Sequence, residues 1–408
     1  MQNIKVIIGA SYGDEGKGLA ADFFGAEAGK KHGTINVLTN GGPQRGHTVE
    51  LEDGTRHVFK HLGAAAFRGA ATYMAEQFLV NPMEFCREYY ELCAMGHVPE
   101  TYMDPRCRFT TPWDMLVNQI LQERRGLHNS CGFGIWETVL RYDRGYGIPV
   151  GRFLNMSRED RLSFLIRLRD SYFVKRVREL GLVESEGENV PRFLSSGSLP
   201  GGLEDLFFSE SLLRRFEEDC ETMRFLCPMR DEDYLRHFET VLFENAQGLL
   251  LDGNAPEEQD FTTPSTTGAG RVFQTIERVF QGADAEIVYV NRSYLTRHGD
   301  GTMENELDAA QRRLLLPGVR PDATNGENRF QGILRYGMMD VNSLADRISA
   351  DYALCCGAVR NRYRSSVMIT HMNEFAGIDT GLLAERFDTL YLSDGKTRSA
   401  VFKAAGAV

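Results

Sequence analysis

Residues 4–18 read Ile-Lys-Val-Ile-Ile-Gly-Ala-Ser-Tyr-Gly-Asp-Glu-Gly-Lys-Gly (IKVIIGASYGDEGKG). The run from Ile4 to Gly9 is apolar save for one lysine and suits a strand buried on both faces. A Gly-rich turn follows, then a helical pattern from Gly18 to about Lys31. Strand, turn and helix in that order leave unpaired N–H groups and the positive end of a helix dipole at the turn, an arrangement that binds anions. Gly13, Gly16 and Gly18 let the backbone approach a phosphate closely. Lys17 has the reach to touch a β- or γ-phosphate, Glu15 lies in the same loop, and Asp14 can bind Mg²⁺ or take a proton. The plain alternative is an ordinary strand-to-helix turn with a solvated Asp-Glu-Gly-Lys. Three glycines and a lysine directly after an apolar strand weigh against it. No Ser or Thr follows Lys17, as it would in a GxxxxGK[ST] loop, so a metal here needs another ligand.

Outward from this loop, residues 34–39 (TINVLT) read as the next strand, and 77–80, 240–243, 285–290, 366–370 and 388–392 as further ones. Helical patterns cover 82–95, 112–125, 157–180 and 203–226. Strands separated by helices indicate an α/β fold with a mostly parallel central sheet flanked by helices. No stretch reads as a linker, and the expectation is one large domain over 1–408 with helical insertions.

Of the 408 residues 42% are hydrophobic and 25% charged, the balance of a globular chain. No run reaches the roughly 20 apolar residues of a membrane span. A net charge of −11 argues against a general nucleic-acid surface, though not against a local cationic pocket for a nucleotide. The eight cysteines form no CxxC pair and read as reduced thiols. The first residues carry no secretory pattern, so the expected location is the cytosol.

Six further segments join the phosphate loop. Residues 40–49 (NGGPQRGHTV) carry His47 in Gly-His-Thr; 128–137 (HNSCGFGIWE), 243–252 (FENAQGLLLD), 262–270 (TTPSTTGAG), 296–301 (TRHGDG) and 393–398 (SDGKTR) follow. In this order, and across nearly the whole chain, they resemble the signature segments of the adenylosuccinate synthetase family. That family has a P-loop-NTPase-like fold and is a Mg²⁺-dependent ligase. The resemblance implies IMP, L-aspartate and GTP or ATP as substrates, and adenylosuccinate, nucleoside diphosphate and phosphate as products, by way of a 6-phosphoryl intermediate. It further implies a cytoplasmic homodimer. Carried over by residue, Asp14 is the base that takes the N1 proton of the purine and touches Mg²⁺. His47 is the general acid at O6, Lys17 neutralises the transferring phosphoryl group, and Gln247 contacts the base. Gly46 offers a backbone carbonyl to the metal. Ser130 and Cys131 stand where the family has two threonines at the substrate phosphate, and Thr267 matches a position near phosphate and ribose. Gly13, Glu15, Gly16, Lys17 and Gly18, with Ser393 and Gly395, would hold the triphosphate.

Three departures from the family pattern stand out. The dicarboxylate loop, usually a basic run, is here 328–340, with only Arg335 and Arg329 basic, which puts aspartate in question. The base-recognition segment reads Ile369-Thr370-His371-Met372-Asn373, with Asn373 where the family has a guanine-selective carboxylate. An amide suits the N6/N1 edge of adenine at least as well, so ATP competes with GTP. The phage 2-aminoadenylosuccinate synthetases resemble this chain in that Asn, but carry Ser where Asp14 stands; Asp14 favours IMP over GMP or dGMP. Third, the arginine that a dimer partner lends to the substrate phosphate matches either Arg141 or Arg144. The alternatives are a same-fold ligase with another purine nucleotide or amine and ATP as donor, and a nucleotide-binding protein that has lost ligation.

Overall fold

The computed structural model describes residues 2–28, 33–125, 130–183, 203–253, 261–320, 332–355 and 357–404. Among these residues the strands are β1 Asn3–Gly9, β2 Thr34–Leu38, β3 His47–Glu50, β4 Arg56–Phe59, β5 Ala71–Met74, β6 Leu79–Val80, β7 Thr101–Met103 and β8 Arg108–Phe109, followed by β9 Thr240–Gly248, β10 Asp284–Arg292, β11 Leu295–His298, β12 Leu334–Gly337, β13 Arg362–Thr370, β14 Thr389–Ser393 and β15 Val401–Lys403. Nine of them make one sheet in the order β15-β14-β13-β10-β1-β9-β2-β5-β7. Every pairing in it is parallel except β14 with β15.

β1 occupies the middle because its side chains suit burial on both faces. Ile4, Val6 and Ile8 pack into the apolar layer on one side, and Ile7 into the layer on the other. Lys5 is tolerated there because its ammonium pairs with Glu286 of β10. The sheet grows through β9 on one side and β10 on the other, so β1 ends at the boundary between two halves. Open parallel sheets bind their ligands at such a place, beyond the carboxyl ends of the strands.

Most expected elements are present, and the differences have local causes. The run expected as a strand at 77–80 contributes only β6, paired with β8. The sheet position goes to β5, whose Ala71, Thr72, Tyr73 and Met74 are all buried. The hairpin β3–β4 was not expected; its polar alternation hid it, although Asp53 and Gly54 make the turn, Gly54 at φ 86° and the Asp53 carboxylate accepting from Thr55 N–H at 2.9 Å. The helical pattern at 157–180 is three pieces, Arg158–Leu168, a π turn Arg169–Phe173 and Val174–Glu179. That at 203–226 breaks before Ser209, which caps the helix Glu210–Leu226 by accepting from Leu212 N–H. The first helix, α1 Lys17–Glu27, ends before the described segment does, and residues 29–31 of the expected helix lie outside it. The seven described cysteines form no disulfide with one another, and none of the described helices is long and apolar enough to cross a membrane.

Candidate active site at the end of the central strand

The loop between β1 and α1 is held from within. Glu15 is buried, and its Oε1 accepts from the N–H groups of Ser11 (3.1 Å) and Gly13 (2.6 Å). Lys17 is buried as well and donates to the Gly13 carbonyl (2.6 Å) and to Glu15 Oε2 (3.0 Å). The cation expected to meet a phosphate is therefore turned onto its own loop, and Glu15 takes the donors that an anion would use. Gly16, at φ 97°, serves as N-cap of α1, a left-handed conformation that L side chains resist.

Gly18 links this loop to His47. A methyl group on Gly18 would lie 2.5 Å from the Thr48 carbonyl oxygen and 2.9 Å from the His47 carbonyl carbon. The missing side chain is what lets α1 rest on the backbone of β3. Gly18→Ala would normally favour a helix interior by about 1 kcal/mol. Here it has to displace β3, so the expected result is a net destabilisation of about 1–3 kcal/mol together with lost turnover. Denaturant unfolding and an activity assay of the same preparation check both.

His47 lies in a buried charged group. Glu244, in the interior of β9, accepts from His47 Nδ1 and pairs with Arg45 Nη2 at 2.8 Å, while its other oxygen accepts from Ala64 N–H at 3.1 Å. Arg45 Nη2 also lies 2.8 Å from His47 Nδ1. A guanidinium only donates and an ionised carboxylate only accepts. Nδ1 with its proton directed at Glu244 is the tautomer that avoids facing a lone pair with a carboxylate. Burial, reinforced by the Arg45 charge, lowers the His47 pKa to about 3 against the pull of Glu244. For Glu244 burial acts upward, yet Arg45 and His47 hold its carboxyl to about 2. The pair is thus an ionised carboxylate and a neutral imidazole.

Gln247 sits where β9 and β1 slip register, between the pairs Ile7↔Glu244 and Gly9↔Gly248. It adopts φ 65°, a left-handed conformation that costs a non-Gly residue about 1–3 kcal/mol and clusters at functional sites. Gly9 accommodates this turn, since a Cβ there would stand 2.5 Å from the Gln247 carbonyl oxygen.

These side chains meet in one cavity of about 480 Å³ at the end of β1, lined by Gly13, Asp14, Gly46, His47 and Gln247 together with Ser130 and Cys131. Residues that the sequence reading did not single out line it too, including Gln44, Arg45, Lys60, Arg297 and His298. Buried polar atoms in this wall lack a hydrogen-bond partner among the described residues: both amide atoms of Gln44, Nε and Nη1 of Arg45, and Nδ1 of His298. Buried polar groups are nearly always paired, so such a cluster marks a wall that a polar ligand completes. His298 Nε2 stands 3.5 Å from Asp14 Oδ2. Arg297 is buried, donates to the Thr302 and Phe261 carbonyls and lies 5.0 Å over the Tyr12 ring, bracing the 299–302 turn. A signal for Glu244 existed in the sequence, as an acid inside an otherwise buried strand requires a cationic or donor partner.

The donor set also fits a hard cation. Among the described residues no group of three or more His, Cys, Asp or Glu is placed to hold a metal alone. Asp14 and Gly46, however, line the same cavity. Mg²⁺ typically takes one or two carboxylates and fills its shell with phosphate oxygens and water.

Other expected site residues lie elsewhere. Thr267 is fully buried, its N–H and Oγ1 both donating to Asp252 Oδ2 (2.7 and 3.2 Å); Thr262 and Thr263 line the cavity instead. Arg141 is buried against Asp114, with Nη2 at 3.0 Å from Oδ2, so it is unsuited to reach a partner subunit. Arg144 is exposed and paired with Glu179 at 2.7 Å. Arg335, in β12, pairs with Glu306 at 2.8 Å and donates to the Gly301 carbonyl, outside the cavity lining. Arg329 and the residues up to Gln331 lie outside the described residues. Asn373 is exposed just past β13. Met372 N–H donates to the Ser393 carbonyl (3.0 Å) and Ser393 Oγ to the Gly395 carbonyl (2.9 Å), so these segments converge as expected. Thr370 Oγ1 donates to the Glu15 carbonyl (2.8 Å), tying them to the phosphate loop.

Fold and site define a phosphate-loop α/β enzyme built for a nucleotide. The family model for adenylosuccinate synthetase matches residues 6–191 and 207–353, and the chain belongs to that family. Its members are ligases that form C–N bonds in purine biosynthesis and generally use Mg²⁺. Among similar sequences, the adenylosuccinate synthetase of Clostridium botulinum is 27% identical over 387 residues, covering 92% of this chain and 78% of that one. That of Natronomonas pharaonis is 25% identical over 329 residues, covering 78% and 67%. The fold is shared with fully ligated adenylosuccinate synthetase from Plasmodium falciparum, at TM-score 0.69 and 15% identity over 99% of this chain and 100% of that one. It is shared as well with cyanophage S-2L succinoaminodeoxyadenylate synthetase bound to dGMP and dATP, at TM-score 0.59 and 16% identity over 99% and 95%.

Proposed function

We propose that this ligase activates the 6-oxygen of IMP with the γ-phosphate of GTP or ATP and then replaces it with the amine of L-aspartate, giving adenylosuccinate. The observation that carries this reading is the convergence of Asp14, His47 and the strained Gln247 on one cavity beside the phosphate loop. Asp14 accepts the N1 proton, which leaves O6 nucleophilic. Gln247 fixes the base, and His47 approaches O6. In its neutral form His47 directs Nδ1–H at Glu244, so donation from Nε2 requires a second proton, which an arriving phosphoryl anion favours. Lys17 must turn out of its loop to meet the triphosphate. Mg²⁺, held by Asp14 and the Gly46 carbonyl, would supply charge neutralisation at the transferring phosphate. Phosphorylation converts the 6-oxygen, a poor leaving group, into a good one before the amine attacks.

A second reading keeps the first step and changes the partners: GMP or dGMP as acceptor, ATP as donor, or another amine. Exposed Asn373 supports ATP, and the commitment of Arg335 to Glu306 and Gly301 supports a different amine. Mass spectrometry decides between them. The protein with Mg²⁺ receives ATP or GTP, and IMP, GMP or dGMP, each with and without aspartate. The expected result is a succinylated nucleotide that appears only with IMP and aspartate. Triphosphate consumption that depends on the mononucleotide but gives no succinylated product favours another amine. No consumption in any mixture overturns the ligase reading.

A further inference from the structure

A mononucleotide carries a 5′-phosphate dianion, and burying it in a cavity calls for a cation close by. Of the two arginines that sequence resemblance offers for this task, Arg141 is buried on Asp114, and Arg144 lies on the surface beside Glu179, outside the cavity lining of its own chain. Three Lys or Arg side chains line the described cavity. Arg45 pairs with Glu244 and His47 through Nη2 and keeps Nε and Nη1 buried without a partner among the described residues, and Arg297 braces the 299–302 turn through two carbonyls.

The third is Lys60, which directly follows β4. Its ammonium sits 4.5 Å over the Phe133 ring, two residues from Cys131, in the wall that also presents Ser130 and Cys131. Its neighbour Glu84, at 3.5 Å, is shared with Arg87 at 2.6 Å, so one carboxylate faces two cations and the Lys60 charge is only partly offset. The helix Ile135–Asp143 starts at the same wall, behind Gly134, without a side-chain cap. Ser130 Oγ donates to Asn118 Oδ1 and accepts from Gly132 N–H, which fixes the hydroxyl at the wall. Burial pushes the Cys131 thiol up to about 11, so it stays an S–H donor at neutral pH, with the Lys60 charge pulling weakly the other way.

We propose that Lys60 binds the 5′-phosphate of the purine mononucleotide, adding to the phosphate's partners a cation from the chain that holds Asp14 and His47. This rests on the reading above that the cavity takes a purine mononucleotide. It follows from the position of one ammonium, over the Phe133 ring, in the cavity that Ser130 and Cys131 also line.

The test is titration calorimetry of the full chain with IMP, with inosine and with Mg²⁺·ATP, using the unaltered protein, Lys60→Gln, Lys60→Arg and Arg144→Gln. Loss of a charge-assisted contact predicts IMP binding weakened about 10- to 100-fold in Lys60→Gln. Inosine and Mg²⁺·ATP affinities stay within about two-fold, and Lys60→Arg retains most of the IMP affinity because the charge is kept. Equal weakening of IMP and inosine would mean that the substitution only loosens the wall, and would overturn the assignment. A loss confined to Mg²⁺·ATP would overturn it too, by placing Lys60 on the donor's phosphates, as would unchanged IMP binding in Lys60→Gln with a loss in Arg144→Gln. If the unaltered protein binds no purine mononucleotide, the ligase reading fails and takes this assignment with it; an intact IMP site indifferent to Lys60 defeats this assignment alone.

Discussion

His47→Asn lowers turnover by about two to four orders of magnitude, the usual worth of a positioned acid or base, while mononucleotide and triphosphate affinities stay within a few-fold. The asymmetry follows from where the imidazole acts. Its contact with O6 strengthens only as charge develops during phosphoryl transfer, so removing it raises the barrier more than it weakens the ground-state complex. Asn keeps a polar group at the site, and Glu244 retains Arg45 and the Ala64 N–H as partners, so the buried ion pair survives the substitution. Single-turnover kinetics alongside equilibrium binding separate the two quantities. A large loss of affinity with unchanged turnover would remove His47 from the chemistry and leave it as a packing residue.

Glu244→Ala has the largest expected effect on stability, a loss of about 3–5 kcal/mol, the typical cost of removing one partner of a buried ion pair. Arg45 and Glu244 both have fully buried side chains. Without the carboxylate, the Arg45 guanidinium keeps its charge in the interior, and His47 Nδ1 and the Ala64 N–H lose their acceptor. The double variant Arg45→Met/Glu244→Leu replaces both charges with apolar groups and is expected to recover much of the loss, because no lone charge is left behind. Urea unfolding of Arg45→Met, Glu244→Leu and the double closes the cycle, with Glu244→Ala measured beside them. A Glu244→Ala protein within about 1 kcal/mol of the parent would show that water reaches Arg45 and that the group is not the buried network its geometry describes. The recovered double variant should still be inactive, since His47 then has nothing to orient it.

Much of this site was legible along the chain because its signals are local. Gly13, Gly16, Gly18 and Lys17 follow an apolar strand within a few residues, and that spacing alone implies strand, phosphate loop and helix. Asp14, His47, Gln247, Ser130 and Cys131 were expected to act together, and one cavity holds all five. Thr267 lies outside the cavity lining: a Thr-rich turn offers several hydroxyls of like appearance, and the Asp252 carboxylate decides which of them turns inward. Arg141 and Arg144 are equally basic on paper, and a buried Asp114 separates them.

By itself the sequence determined the layered α/β class, the burial of β1 on both faces and the loop that follows it. Hydrophobic period and glycine spacing are properties of a few consecutive residues, and they act through burial and backbone sterics wherever the rest of the chain lies. Tertiary structure alone decided the partners. Glu244 is 197 positions from His47, and they touch only because β9 is laid between β1 and β2. Lys60 and Cys131 face one cavity only because the β3–β4 hairpin and the start of the helix Ile135–Asp143 are packed around it. Charge, protonation and reach at this site are set by such long-range neighbours, since electrostatic energy depends on distance and burial in space, and neither is written in the spacing of residues along the chain.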